Sequence, residues 1–407
     1  MRRLAALVAA AALVLAFGAT PTNAAGIIVN TLTDGTGGPD CSLGDAIAAA
    51  NTDTAQGGCT TGDGVDVISF SVTGTITLGS ALPDIASDVT IDGGSAITVD
   101  GANNYRPFTI EGATVTFAGL TIIHGSASHG GGIDSNGTLT VAHSTITGNT
   151  ALIQGGGINS EVALTVTDST ICGNTALTQG GGISFNGTAS ITNSTICENT
   201  AVRQGGGILA YGVATITNTT IVANAAQGGA IVPGHLAGGG MNTFVPGTHL
   251  ANTILAGNEG GDSDGPIVAK TSLTARSSPS GMTMGDLFVV DASGNPVLAD
   301  NGGPTKTIAL ALVADNPAID TGDSATCAAA PVNGLDQRGL ARPTACDMGA
   351  YEAQAPTVSQ TPPPTGGIAI PNGLVSAPYL ALGLLGILGL LGLIGILLVA
   401  RKVRRPR

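Results

Sequence analysis

STITGNTALIQGGGINSEVALTVTD (144–168), STICGNTALTQGGGISFNGTASITN (169–193) and STICENTAVRQGGGILAYGVATITN (194–218) follow one another without a gap. The glycine triplet begins at Gly130, Gly155, Gly180 and Gly205, so its step is constant. A fixed period in the range of roughly 20–50 residues marks stacked supersecondary units. Strands fit these units and helices do not. The recurring apolar segments are short, β-branched and alternating, as in Leu139-Thr140-Val141 and Leu164-Thr165-Val166. Gly, Asn, Ser or Asp ends each within a few residues, too soon for a helix to propagate. Three strands and three turns are expected per unit, around Val166, Ile171 and Ile183, which describes one coil of a parallel β-helix.

Outward from the triplets the period continues. Ile91, Phe117, Val141, Val166, Ile191 and Ile216 recur at the triplets' own interval, to within one position. About six coils are therefore expected between Val89 and Asn224, within a β-helix spanning 89–258. Asn149, Asn174, Asn199 and Asn224 repeat in step and read as an asparagine ladder in a recurring turn. Thr145, Thr170, Thr195 and Thr220 are expected to form a stacked hydroxyl row. The glycine triplets precede no Lys-Ser/Thr and open no helix, so they are corner glycines and not phosphate loops.

Before the coils, residues 1–24 read as a secretory signal: Arg2 and Arg3, then an apolar run, then small residues. Residues 25–88 hold an N-terminal cap and the first strands. In CSLGDAIAAAN (41–51), Ser42 is a good helix N-cap and Leu43, Ile47 and Ala50 share one face, so a short helix is expected over the end of the first coil. After the coils, 259–354 loses the period and reads as a C-terminal β segment or cap. A Pro/Thr-rich spacer occupies 355–379. Residues 380–400 are an uncharged apolar run long enough to span a bilayer. The basic tail 401–407 follows, placing the C-terminus in the cytoplasm by the positive-inside rule.

The 407 residues include 63 Gly and no Trp, with 3% aromatic and 10% charged side chains, which suits tight turns around a thin aliphatic core. Removing signal and tail leaves seven basic against 27 acidic residues, a formal charge of −20 on the exported part. Such a surface repels nucleic acid. Six cysteines fit an exported chain. Cys41 with Cys59 and Cys327 with Cys346 are expected to be disulfides. Cys172 and Cys197, one period apart, stack on neighbouring coils either as a bond or as free thiols.

The motifs together are similar to those of a known group. CSLGDAIAAAN resembles the Cys-Ser-Leu-Arg-Glu-Ala signature near the start of bacterial β-helix surface proteins, with Gly44-Asp45 where that signature has Arg-Glu. The triplet repeats with TGNTA resemble those of chlamydial polymorphic outer membrane proteins. NGGPTKT (301–307), NPAIDTGD (316–323) and DQRGLARPTACDMGAYE (336–352) resemble a C-terminal choice-of-anchor segment. The resemblance implies a right-handed parallel β-helix displayed at the cell surface. It implies no established chemistry. The chain departs from it in ending in one apolar helix and not an outer-membrane barrel, so the expected fold is an all-β, pectin-lyase-like parallel β-helix with a short N-terminal capping helix and one C-terminal transmembrane helix.

Candidate chemistry is sparse. From 119 to 258 the only charged residues are Asp134, Glu161, Asp168, Glu198 and Arg203, with no Asp-Asp pair; by period Asp134 and Glu161 stand two positions out of register. Glycoside hydrolysis needs converging carboxylates, and lyase chemistry a cation site with a base. His124, His129, His143, His235 and His249 lack metal-motif spacing, although stacking could bring His124 and His129 to His143. No catalytic residue, metal site or cofactor is assigned. Asp262-Ser-Asp264-Gly reads as a solvated loop. Asp320, Asp336, Arg338, Arg342 and Asp347 read as ion pairs that fix the C-terminal segment. Partner binding is expected at residues that break the period: Asp134-Ser135-Asn136, Glu161, Phe185, Arg203, Tyr211 and the irregular excursion 227–250, with Phe185 and Tyr211 as a small aromatic platform. The leading expectation is a non-catalytic surface adhesion or interaction protein, tethered to the membrane, whose partner is an extracellular glycan or protein. The alternatives are a polysaccharide lyase or hydrolase and a structural envelope protein.

Overall fold

The computed structural model describes residues 26–228, 237–274 and 282–354. The expected signal, spacer, membrane helix and tail, and His235, lie outside them. Among the described residues no helix is long and apolar enough to cross a membrane.

The repeat folds as coils of four strands, not three. In one coil these are Ile158–Ser160, Ala163–Thr167, Thr170–Cys172 and Thr175–Ala176. The fourth is two residues long, and Thr-Ala carries too little pattern to read as a strand. Each strand pairs in parallel with its equivalent in the next coil, as Ile158 does with Ile183, Val166 with Ile191, Ile171 with Ile196 and Ala176 with Ala201. The first and fourth strands build sheets of seven and five strands, while the second and third lie in a 17-stranded sheet. The result is a parallel β-solenoid of the right-handed type, the hand that parallel crossovers take. Its rungs rise by ~4.8 Å.

One file of side chains shows how far it runs: Ile27, Ile68, Ile91, Phe117, Val141, Val166, Ile191, Ile216, Leu250 and Ala269 pair in turn. The solenoid therefore extends from Gly26 to Thr274, beyond both expected boundaries. Its interior is this file from Ile27 to Leu250, with those of Ile146, Ile171 and Ile196 and of Ile133, Ile158 and Ile183, all buried, while Ala269 on the last rung is exposed. Each such residue contributes about 1.5–3 kcal/mol on burial. The helix Leu43–Thr52 is N-capped by Ser42, whose Oγ accepts from Asp45 N at 3.0 Å. Leu43, Ala46, Ile47 and Ala50 join the same core.

The corners explain the polar repeat. Gly180 takes φ +63°, and a Cβ on Gly181 would sit 2.4 Å from the Gly206 carbonyl oxygen of the next coil, so the triplet is needed both for backbone hand and for close stacking. The asparagine ladder forms as expected. Asn149, Asn174, Asn199 and Asn224 each donate Nδ2 to the Oδ1 of the next asparagine, at 3.0, 3.0, 2.9 and 2.9 Å. The last, Asn258, donates both Nδ2 and its backbone N to Asp262 Oδ1, each at 2.9 Å. Asp262 is thus the buried end of the ladder and not part of a solvated loop.

Thr145, Thr170, Thr195 and Thr220 stack in register on successive rungs, as expected, and a serine row one residue earlier makes the hydroxyl bonds between coils. Ser144, Ser169 and Ser194 accept from the backbone N of Leu120, Ser144 and Ser169 at 3.1–3.2 Å. Thr170, Thr195 and Thr220 instead dock the C-terminal segment. Thr170 Oγ1 donates to Lys306 O at 2.6 Å, Thr195 Oγ1 donates to Gln337 Oε1 at 2.6 Å, and Ala350 N donates to Thr220 Oγ1 at 3.0 Å. Ile308, Leu310 and Met348 cover Cys172, Cys197 and Val222 in a second apolar core. This segment therefore lies along the side of the rod as a flap.

Three disulfides form: Cys41–Cys59, Cys172–Cys197 and Cys327–Cys346. The middle one resolves the choice left by the sequence. Its Cα atoms are 4.6 Å apart because the two residues are in-register partners on adjacent rungs.

Of the charged residues expected to pair in the flap, Arg338 and Asp336 do so with each other, whereas Arg342 takes Glu352 and Asp347 accepts from the backbone N of Asp320 and Ala353. Arg338 contacts Asp336 at 2.6 Å and Arg342 contacts Glu352 at 3.0 Å, with all four side chains at most 3% exposed. Arg338 also lies over the Tyr351 ring at 3.7 Å. Burial raises the Glu352 carboxyl to about 7, against the pull of Asp347 N and Arg342. It also raises that of Asp347.

Candidate functional groove

The seven-stranded sheet is built of strands so short that only the middle residue faces outward. In Phe108–Ile110, Ile133–Ser135, Ile158–Ser160 and Ile183–Phe185 these are Thr109, Asp134, Asn159 and Ser184, paired in one column. The residue after each strand begins the corner and forms a second column: Glu111, Asn136, Glu161, Asn186, Tyr211 and Phe244. Backbone bonds fix its register: Glu161 N to Ser135 O at 2.8 Å, Asn186 N to Ser160 O at 2.9 Å, and Tyr211 N to Phe185 O and Phe244 N to Ala210 O, both at 3.0 Å.

Between the columns and the wall made by His129 and Gln154 lies a groove of about 390 Å³. Arg106 Nη1 reaches Asp134 Oδ2 at 2.9 Å. Asn159 Nδ2 donates to Asp134 Oδ1 at 2.8 Å and to Glu161 Oε1 at 3.1 Å, while Gln154 Nε2 donates to Asn159 Oδ1 at 3.3 Å. Asn186 Nδ2 donates to Glu161 Oε2. Asp134 and Glu161, two positions out of step by period, are therefore bridged by one amide nitrogen. The two-residue offset is the step from the first column to the second.

Further along, the rings of Tyr211 and Phe244 stack with centroids 4.9 Å apart and planes 8° from parallel. Phe244 is 47% exposed. The Tyr211 hydroxyl donates to Gln179 Oε1 at 3.2 Å. Burial raises this phenol above its usual range, so it remains a donor at neutral pH.

The expected aromatic platform is thus half right. Tyr211 belongs to it, but Phe185 is 1% exposed and packs in the main core, because the end residues of such a short strand point inward. Phe244 takes its place. The interval from Tyr211 to Phe244 equals that from Gly205 to Gly238, so its signal was the longer coil. Arg203 is exposed beside Gln204, in a different row from Tyr211. The histidines do not meet. His124 Nδ1 lies 3.1 Å from Asp100 Oδ1, and His143 Nδ1 lies 4.0 Å from Asp168 Oδ2 at another corner. Among the described residues no group of three or more His, Cys, Asp or Glu side chains could hold a metal ion.

No protein-family model matches the chain, and neither does any curated protein. Among solved structures, the crystal structure of pectate lyase Pel9A is similar over 77% of this chain and 92% of that one, with a TM-score of 0.41 and 15% identity. The lyase activity is that protein's own.

Proposed function

We propose that the chain is a non-catalytic cell-surface rod that binds an extended extracellular glycan along the groove of Asp134, Glu161 and Tyr211, tethered through the apolar run 380–400. The observation that carries this reading is the column in which carboxylates, amides and two stacked rings follow one another at the rung spacing. Aromatic faces take the apolar side of sugar rings, while amides and carboxylates take hydroxyls. The carboxylates of Asp134 and Glu161 are held by Arg106, Asn159 and Asn186, an arrangement suited to binding polar groups. A general acid would need an apolar setting instead.

A polysaccharide hydrolase is the second reading, favoured by the bridging of Asp134 and Glu161 through Asn159. Incubation of the purified protein with a polysaccharide panel separates the two. Binding without released reducing or unsaturated ends supports the rod, whereas released ends overturn it. For the tether, protease added to intact cells is expected to free the ectodomain within 355–379 and leave the basic tail protected; a protected ectodomain refutes this orientation.

A further inference from the structure

The groove's charge and spacing define which glycan suits it, given the binding reading above. We infer that it takes a polymer of unacetylated amino sugars, a cationic glycan, in preference to a neutral or uronate chain. Glu111 and Glu161 stand on alternate rungs of the outer column, with Asn136 between them. A rung of ~4.8 Å is close to the length of one sugar unit in an extended polysaccharide. Successive sugars laid along the rod would therefore stay in step with successive coils, with one ammonium group near Glu111 and another near Glu161, two rungs on.

Arg106 is committed to Asp134 at 2.9 Å, which leaves Glu111 and Glu161, both exposed, as the net charge of the column. The −20 of the exported part adds a long-range attraction for cations and repels polyuronates. Two further observations point to a ligand beyond the carboxylates themselves, one polar and one apolar. Ser184, in the floor column one rung past Asn159, is wholly buried with its hydroxyl unpartnered. Phe244 keeps nearly half its surface in water although it stacks on Tyr211.

The test is titration calorimetry of the full chain with a glucosamine hexamer, an N-acetylglucosamine hexamer and a galacturonate hexamer, at mildly acidic pH where ammonium and carboxylate are both charged. The glucosamine hexamer is expected to bind tightest, with affinity falling as salt is added. Glu161→Gln and Glu111→Gln should each weaken it roughly threefold to fivefold, the scale of an exposed ion pair. Glu198→Gln, on another corner, should leave it unchanged. Equal loss in Glu198→Gln would mean a diffuse field and overturn the inference, as would tighter binding of the galacturonate hexamer. Binding of the acetylated hexamer alone would overturn the cationic preference and leave glycan binding standing. Silence with all three, and with the wider polysaccharide panel, would remove both.

Discussion

The rings of Tyr211 and Phe244 lie 4.9 Å apart and 8° from parallel, although an uncommonly long coil separates them in sequence. The chain inserts residues inside that coil, yet Ile208 pairs with Met241 and Ala210 with Thr243, so the register resumes and the rings meet. The stack continues a column whose other members are carboxylates and amides. Replacing Tyr211 or Phe244 by Ala should therefore weaken glycan binding about tenfold, near the 1.4 kcal/mol expected for losing one ring contact. Because Phe244 is half exposed, Phe244→Ala should change the unfolding free energy by less than about 1 kcal/mol, readable in the same samples by urea denaturation.

The asparagine ladder predicts a much larger stability effect. Asn199 Nδ2 serves Asn224 Oδ1 and Ile171 O, while Asn199 Oδ1 receives both Nδ2 and the backbone N of Asn174. Asn199→Ala leaves these buried groups without partners, at a cost of about 3 kcal/mol or more. Equilibrium unfolding checks this; a loss below about 1 kcal/mol would mean that water replaces the amide.

Gln337 fastens the flap. Its Nε2 donates to Thr170 Oγ1 and Thr305 Oγ1, both at 2.9 Å, and its Oε1 accepts from Thr195. In Gln337→Ala, hydrogen exchange should speed up across 305–352 and at Thr170–Cys172, by roughly tenfold for about 1–2 kcal/mol of local stability. The exchange of Ile133–Ser135, on another face, should not change.

Glu352 makes the flap pH-dependent. Its carboxyl is raised from 4.5 to about 7 by burial. Between these values the folded state therefore holds a proton that the unfolded chain has released. The stabilisation is complete below about 4.5 and is lost as pH rises through about 7, with Asp347 acting in the same direction. Thermal unfolding followed from pH 4.5 to 7 should show this decline, and Glu352→Gln should flatten it.

Much of this was legible in the sequence. The constant step of the glycine triplets, the file from Ile91 to Ile216, the asparagine ladder and the Ser42 cap all follow from local pattern, because a solenoid repeats its contacts from coil to coil. The short fourth strand had no pattern to show. The docking of Thr170, Thr195 and Thr220 to residues far along the chain was hidden because nothing in a threonine row says what covers it. The groove was partly visible. Tyr211 stood out as a break in the repeat, but Phe185 drew attention by its type when its strand position turns it inward. Asp134 and Glu161 looked separate along the chain because the link between them is an asparagine on a neighbouring rung.

The central claim, that the groove binds a glycan without cleaving it, is tested most directly by incubating the protein and its Glu161→Gln variant with the same polysaccharide panel, measuring bound and released sugar together. The account predicts saturable binding that weakens in Glu161→Gln, with no new reducing or unsaturated ends from either protein. Sugar ends released by the wild type and abolished in Glu161→Gln would contradict it.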